Sequence, residues 1–393
     1  MKPKTRFLTA LNHEEPDRVP LFGEAIDSVP VLKKYGGKSL STLVSLAKAM
    51  RFVIGWKKIA GWLIRRPFFA KTVSKSFTKF MIKIGYDAVA VPVTLLYTKC
   101  HFPSSNQYVD EYGRQFVFSK VESGGKKVYM AFYERGYFDT EDPEAAYEEW
   151  HDPPLDPDHK IRRIAYEAAV KAAKDDIYAF PGTIGVLEST WEPFGFITFT
   201  KLLYTKPRFI ERVFREHGDF MVALAENMMD LGAETFLILD DAGFKGRPFL
   251  SPKMYEKFVA SQIKRVCDKV HSYDGKVLLH SCGNLYKILD LIIGAGVDGL
   301  HPWESTAGMD IFKAKEDYGE KLTLIGNVPL DMLTHKTPQD VEAYVKKLLQ
   351  VCAPGGGYVL CSGHSITYSV SLENYEAMME TARNYGTYPI SIE

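Results

Sequence analysis

From residue 235 onward, short apolar runs alternate with helical patterns, and this rhythm constrains the fold more than any other feature of the chain. The runs are residues 235–240, 277–280, 299–302, 323–327 and 358–361, with helical patterns at 252–271, 285–295, 309–318 and 338–351. Short buried runs alternating with helices predict parallel strands, because parallel neighbours need a crossover that a helix supplies. Earlier runs at 18–22, 88–92 and 178–182 bring the number of expected strands to eight. In a chain of 393 residues, that predicts a (β/α)8 TIM barrel spanning 1–393 as one domain.

Two stretches interrupt the rhythm. Residues 28–86 contain thirteen Lys and Arg and no Asp or Glu, and are expected to form a basic helical insertion after the first strand. Phe52, Trp56, Ile59 and Leu63 recur there at helical spacing beside Lys57, Lys58, Arg65 and Arg66. The pattern suits either an accessory helix packed on the barrel or a surface for a membrane or an acidic protein. Residues 107–140 alternate in strand fashion around Gly113, Gly124 and Gly125, which predicts a β-hairpin insertion after the second strand.

A formal net charge of zero gives no global field for nucleic acid, and none is expected as a partner. Five cysteines in so long a chain do not make a disulfide framework. The amino-terminal residues lack a signal-like apolar core, and the apolar stretch 52–70 is broken by charges, so a reducing cytoplasm is the expected location.

A barrel of this type builds its active site at the carboxyl ends of its strands. Those ends carry Glu24 and Asp27, Thr183 and Glu188, Asp240 and Asp241, His280 and Cys282, Glu304, Asn327, Cys361 and His364. His280 and Cys282 are two apart, so on an extended segment both side chains share one face. Cys361 ends the last run, and the barrel would bring it to the same rim. One imidazole, two thiols and a nearby carboxylate suit zinc better than other common metals. Two thiolates cancel the charge of the ion and reduce its acidity, which favours alkyl transfer over hydrolysis by bound water. Glu304 reads either as a fourth ligand or as a carboxylate facing the substrate. Asp240 and Asp241, with Glu188, are candidates for proton handling, but the aspartates could equally cap a helix and Glu188 could lie in a surface loop. Asn327 and His364 are candidate cofactor contacts, although Asn327 also suits a turn.

Several motifs resemble the uroporphyrinogen decarboxylase superfamily: LTALNHEEPDRVPLF at 8–22, DEYGRQF at 110–116, SCGN at 281–284, AGVDGL at 295–300, IGNVPLDML at 325–333 and GGYVLCSGHSI at 356–366. The resemblance covers nearly the whole chain outside 28–86 and is closer to the zinc-dependent corrinoid methyltransferase branch. The decarboxylases carry an arginine-rich loop after the first strand, where this chain has LFGEAIDSVP. The branch implies zinc at His280, Cys282 and Cys361, and related methionine synthases add a glutamate where Glu304 stands. It implies methyl transfer between a small methylated substrate, or a thiol or folate acceptor, and the cobalt of a corrinoid. Composition, with 24 Phe, 22 Tyr and 5 Trp, adds the expectation of an aromatic-lined pocket and so of an aromatic methyl ether. No D-x-H-x-x-G motif is present, so the corrinoid (cobalamin) is expected on a partner protein. A metal-free decarboxylase and a non-catalytic corrinoid or metal carrier are the alternatives.

Overall fold

A computed structural model of the chain describes residues 1–36, 62–94 and 98–392. Eight strands form one parallel sheet in chain order: β1 (Phe22–Gly23), β2 (Ala88–Pro92), β3 (Tyr178–Ile184), β4 (Thr235–Leu239), β5 (Lys276–His280), β6 (Gly299–His301), β7 (Thr323–Ile325) and β8 (Tyr358–Val359). A parallel bridge between Leu21 and Leu360 joins the last strand to the first, with Leu360 N–H donating to Pro20 at 2.9 Å. The architecture is a (β/α)8 barrel.

Several expected strands are shorter than their apolar runs, the first and the last among them. Ahead of β1, Arg18 bridges Thr387 and the Leu21 N–H donates to the Asp87 carboxylate at 2.8 Å, so residues 18–21 are bonded outside the regular ladder. Past β8, Leu360 and Ser362 continue as single bridges, leaving Cys361 on an extended tail.

The inward residues of the strands are bulky and apolar, as a filled barrel requires. Phe22, Phe180, Leu237, Leu278, Ile325 and Val359 pack there with Phe7, Ala10 and Leu11 from the first helix, Pro3–Leu11. Phe7 stacks on Phe180 at 5.6 Å, and the Ala10 carbonyl accepts from Gly357 N–H at the start of β8. The first helix therefore plugs the amino end of the barrel.

Helix Pro67–Ile84 lies between β1 and β2 in the outer layer and packs on helix Lys160–Ala173. Its buried face, which includes Ala70, Ser74, Thr78, Phe80, Met81 and Ile84, follows helical spacing and leaves Lys71, Lys75, Lys79 and Lys83 exposed. Phe52, Trp56 and Ile59 of the expected amphipathic stretch lie outside the described residues. Among the described residues no helix is long and apolar enough to cross a membrane.

Strands Gln107–Val109, Arg114–Ser123 and Lys126–Gly136 form a separate antiparallel sheet. Buried ion pairs join this part of the chain to the barrel: Arg114 to Asp110 at 2.7 Å and Glu192 at 2.9 Å, and Arg162 to Glu111 at 2.6 Å.

Candidate active site

His280 and His301 end β5 and β6, and the parallel register sets them side by side. Their Nδ1 atoms are 2.7 Å apart, and Glu24 Oε1, just past β1, lies 2.9 Å from the same His280 nitrogen. On the other side of the ring, His280 Nε2 lies 3.5 Å from Cys282 Sγ and 3.6 Å from Asp241 Oδ1. Asp241 also accepts the Cys282 N–H at 2.7 Å, which fixes the loop carrying the thiol. At Gly283, with φ +91°, a Cβ would collide with the Gly243 backbone, so the close approach of these two rim loops depends on glycine.

Charge follows the geometry. Burial disfavours the His280 imidazolium, but the Glu24 carboxylate and the Cys282 sulfur outweigh it and raise its pKa well above the usual value. Burial pushes the Glu24 carboxyl up, yet His280 and His301 pull it down to about 2. Burial lowers His301 to about 3 and pushes the Cys282 thiol up to about 12. Burial also raises the Cys361 thiol, with Glu24 adding to the effect.

A second group of acids lies along the rim. Asp240 is buried, and its two carboxylate oxygens accept the N–H groups of Leu187 and Glu188 at 3.1 and 2.8 Å, near the start of helix Val186–Phe194. A side chain at Gly185 would occupy the space of the Asp240 carboxylate. Burial raises Asp240 to about 7 despite those N–H groups. Burial, then the charges of Asp241, Glu192 and Asp240, raise Glu188 well above the usual carboxyl value. Glu188 is therefore the rim carboxyl whose proton is held more tightly than usual, beside the charges of Asp241 and Asp240.

The structure thus brings together His280, Cys282 and Asp241, with Asp240 and Glu188 beside them. Among the described residues, donor atoms converge within 4.8 Å in two groups, Glu24–His280–His301 and Asp241–His280–Cys282. Neither group contains Cys361 or Glu304. Cys361 lies in the apolar interior, 2% exposed, and senses the charges of Glu24 and His280. Glu304 accepts from Gly283 N–H at 2.8 Å and Thr306 Oγ1 at 2.6 Å, bracing the loop after Cys282. Asn327 is buried, donating to the Trp303 carbonyl at 2.7 Å and accepting from Tyr344 at 3.1 Å, so it braces the rim. The His364 ring lies 6.3 Å from that of His280, and its Nδ1 is 2.8 Å from Ser365 Oγ.

Sequence reasoning missed His301 and a wall of rings. His301 was legible as the last residue of its run, like His280, but its pairing depends on register between strands. Trp191 and Phe249 lie 5.2 Å apart, Phe249 and Phe244 another 5.2 Å, and Tyr133 lies 5.7 Å from Trp191. Trp191 is one helical turn beyond Glu188, and the Phe244 carbonyl accepts from Asn284 N–H, so the wall flanks the donor set.

The donor chemistry fits a zinc ion. His280 presents Nε2 toward a sulfur and a carboxylate, a mixture of N, S and O that zinc accepts. A dication there would also supply the positive charge that the buried thiols need to ionise.

A model of the uroporphyrinogen decarboxylase (URO-D) family matches residues 156–385, more than half of the chain. The chain belongs to that family. The curated relatives include proteins of two kinds. Methylcobamide:CoM methyltransferase MtbA of Methanosarcina acetivorans is 30% identical over 184 residues, covering 47% of this chain and 51% of that protein. Uroporphyrinogen decarboxylase of Dechloromonas aromatica is 28% identical over 193 residues, covering 47% and 51%. The chain spans about half the length of these curated relatives. Among solved structures, a methyltransferase from Methanosarcina mazei aligns over 98% of this chain and 99% of its own, with a TM-score of 0.64 at 18% identity, which supports the barrel fold.

Proposed function

We propose that this URO-D family chain moves a methyl group between a small methylated molecule and the cobalt of a corrinoid carried by a separate protein. Zinc would be held by His280, Cys282 and Cys361, with Glu304 or Asp241 as the adjoining carboxylate. The observation that carries the reading is the facing nitrogen and sulfur of His280 and Cys282 at the strand-end rim, 3.5 Å apart. Similarity to a methylcobamide:CoM methyltransferase supports the same chemistry.

A zinc ion bound there would supply Lewis acidity to the heteroatom that carries or receives the methyl group. The chain's own groups do the rest. Glu188, whose pKa burial and its acidic neighbours raise, can give a proton to the oxygen from which the methyl departs and take it back in the reverse direction. Asp240 fixes the helix that carries Glu188, and Asp241 fixes the loop that carries Cys282. Trp191, Phe249 and Phe244 offer flat apolar surface to an aromatic ring, so an aromatic methyl ether suits this site. The rim acids favour a neutral small molecule over an anionic one. The exposed lysines of helix Pro67–Ile84 are a candidate contact for the corrinoid protein.

The test is the zinc content of protein purified without added metal, alongside Cys361→Ser. About one zinc per chain in the wild type, lost in the variant, is expected. No zinc even after reconstitution under reducing conditions would overturn the reading.

The family match and the Dechloromonas relative favour a second reading, metal-free decarboxylation of a polycarboxylate. The loop after β1 opposes it: residues 21–30 offer no arginine to hold such a substrate. Decarboxylation that survives Cys282→Ser would favour this alternative.

A further inference from the structure

Glu24 and His301 belong to no metal site proposed above, yet both press on the same nitrogen of His280. The Ser362 carbonyl, 3.2 Å from His301 Nε2, can only accept, so that nitrogen carries a proton. Glu24 Oε1 is 2.9 Å from His280 Nδ1, and an ionised carboxylate tolerates that contact only if Nδ1 carries a proton. His301 Nδ1, 2.7 Å from the same atom, must then offer a lone pair. One arrangement satisfies all three contacts: Ser362 accepts from His301, and His280 Nδ1–H is shared between His301 and Glu24. Among the described residues Glu24 Oε2 is buried without a partner, so none of them competes for this carboxylate. Ser362 directly follows Cys361, so the relay starts on the segment that carries the second thiol.

We propose that Glu24 and His301 are positioning residues that lock the proton of His280 onto Nδ1, committing Nε2 to a metal ion on the Cys282 side. The inference rests on the zinc reading and deepens it. Histidine ligands gain basicity and a fixed ring orientation when their second nitrogen donates to a carboxylate. Here a second imidazole shares that task and ties the ring to the backbone beyond β8.

The test uses cobalt(II) as the probe of the site in the full chain, with affinity read by competition against a chelator. Glu24→Leu and His301→Leu are each expected to weaken cobalt(II) binding by about 10- to 100-fold while keeping a thiolate-to-cobalt absorption band. Glu24→Gln, whose amide oxygen still accepts from Nδ1, is expected to fall between wild type and Glu24→Leu. In zinc-loaded wild type, long-range ¹H–¹⁵N correlation is expected to show the His280 proton on Nδ1 and the metal on Nε2, a readout that needs no variant to fold. Wild-type affinity in both leucine variants, with only thermal stability reduced, would overturn the inference, as would metal on Nδ1. Wild-type protein that binds no cobalt(II) would instead overturn the zinc reading itself, and the inference with it.

Discussion

Glu188 shows how burial shifts the acidity of an ordinary side chain. Its pKa is raised by burial and then by Asp241, Glu192 and Asp240. The unfolded chain releases this proton near pH 4.5 and the folded chain keeps it, so its contribution to stability is intact below that pH. That contribution is lost as pH rises toward the folded value. Glu188→Gln should remove this slope: its urea midpoint should exceed that of the wild type at pH 8, and the two should converge near pH 4. A midpoint difference that does not change with pH would rule out a buried, protonated Glu188. Methyl transfer by the variant should lose the limb of its pH profile that reports this acid. At this scale the sequence was partly legible. His280 and Cys282 could be paired from spacing two along an extended segment. His301 could not, because its neighbour is set by register between β5 and β6 and not by distance along the chain. Glu304 was legible as a rim residue, but not its bonds to Gly283 and Thr306, which depend on the turn after His301.

Among the elements, the later barrel units were the most readable. The expected helix at 338–351 is Pro338–Cys352, and its Thr337–Asp340 capping box marks the start in the sequence itself. The expected helix at 252–271 contains one wide turn, Glu256–Ala260, between Pro252–Tyr255 and Ser261–His271, which apolar periodicity does not reveal. The helices after β3 were illegible because their apolar residues serve two surfaces. Val186–Phe194 packs both on the antiparallel sheet and on helix Pro207–Asp230. There His217 Nδ1 lies 3.1 Å from both the Ser189 and Thr190 hydroxyls, and the His151 ring sits 5.8 Å away. Among the described residues, the Nε2 atoms of both histidines are buried without a partner. Burial lowers His151 to about 4 and His217 well below its usual value. Between about pH 6.5 and 4 the unfolded chain binds protons that the folded chain refuses, so stability is full above that window and falls as pH drops through it. His151→Phe should reduce the loss between pH 7 and pH 5 by about 1–2 kcal/mol in urea denaturation. An unchanged pH dependence would show that His151 titrates freely in the folded protein.

For the molecule as a whole, the amino end of the barrel depends on one aspartate. Asp87, ahead of β2, accepts from Arg6 at 2.7 Å, from Arg18 at 2.8 Å and from the Leu21 N–H at 2.8 Å. It therefore joins the plug helix, β1 and β2. Asp87→Ala would leave Arg6, only 7% exposed, with Asp17 and the Met1 carbonyl but without the more buried of its two carboxylate partners, and should cost about 3–5 kcal/mol in chemical denaturation. A cost below about 1 kcal/mol would mean the plug is held by Phe7 and Leu11 alone. With that plug closing the amino end, the described residues leave the site one doorway, at the carboxyl rim of the filled barrel. Under the proposed reaction, a small reactant and a bulky carrier must use the same opening, and the carrier would cover it. The small reactant must already be inside when the carrier seats, and its product must wait until the carrier leaves. Turnover is then a queue, and excess carrier would slow it by standing in the doorway.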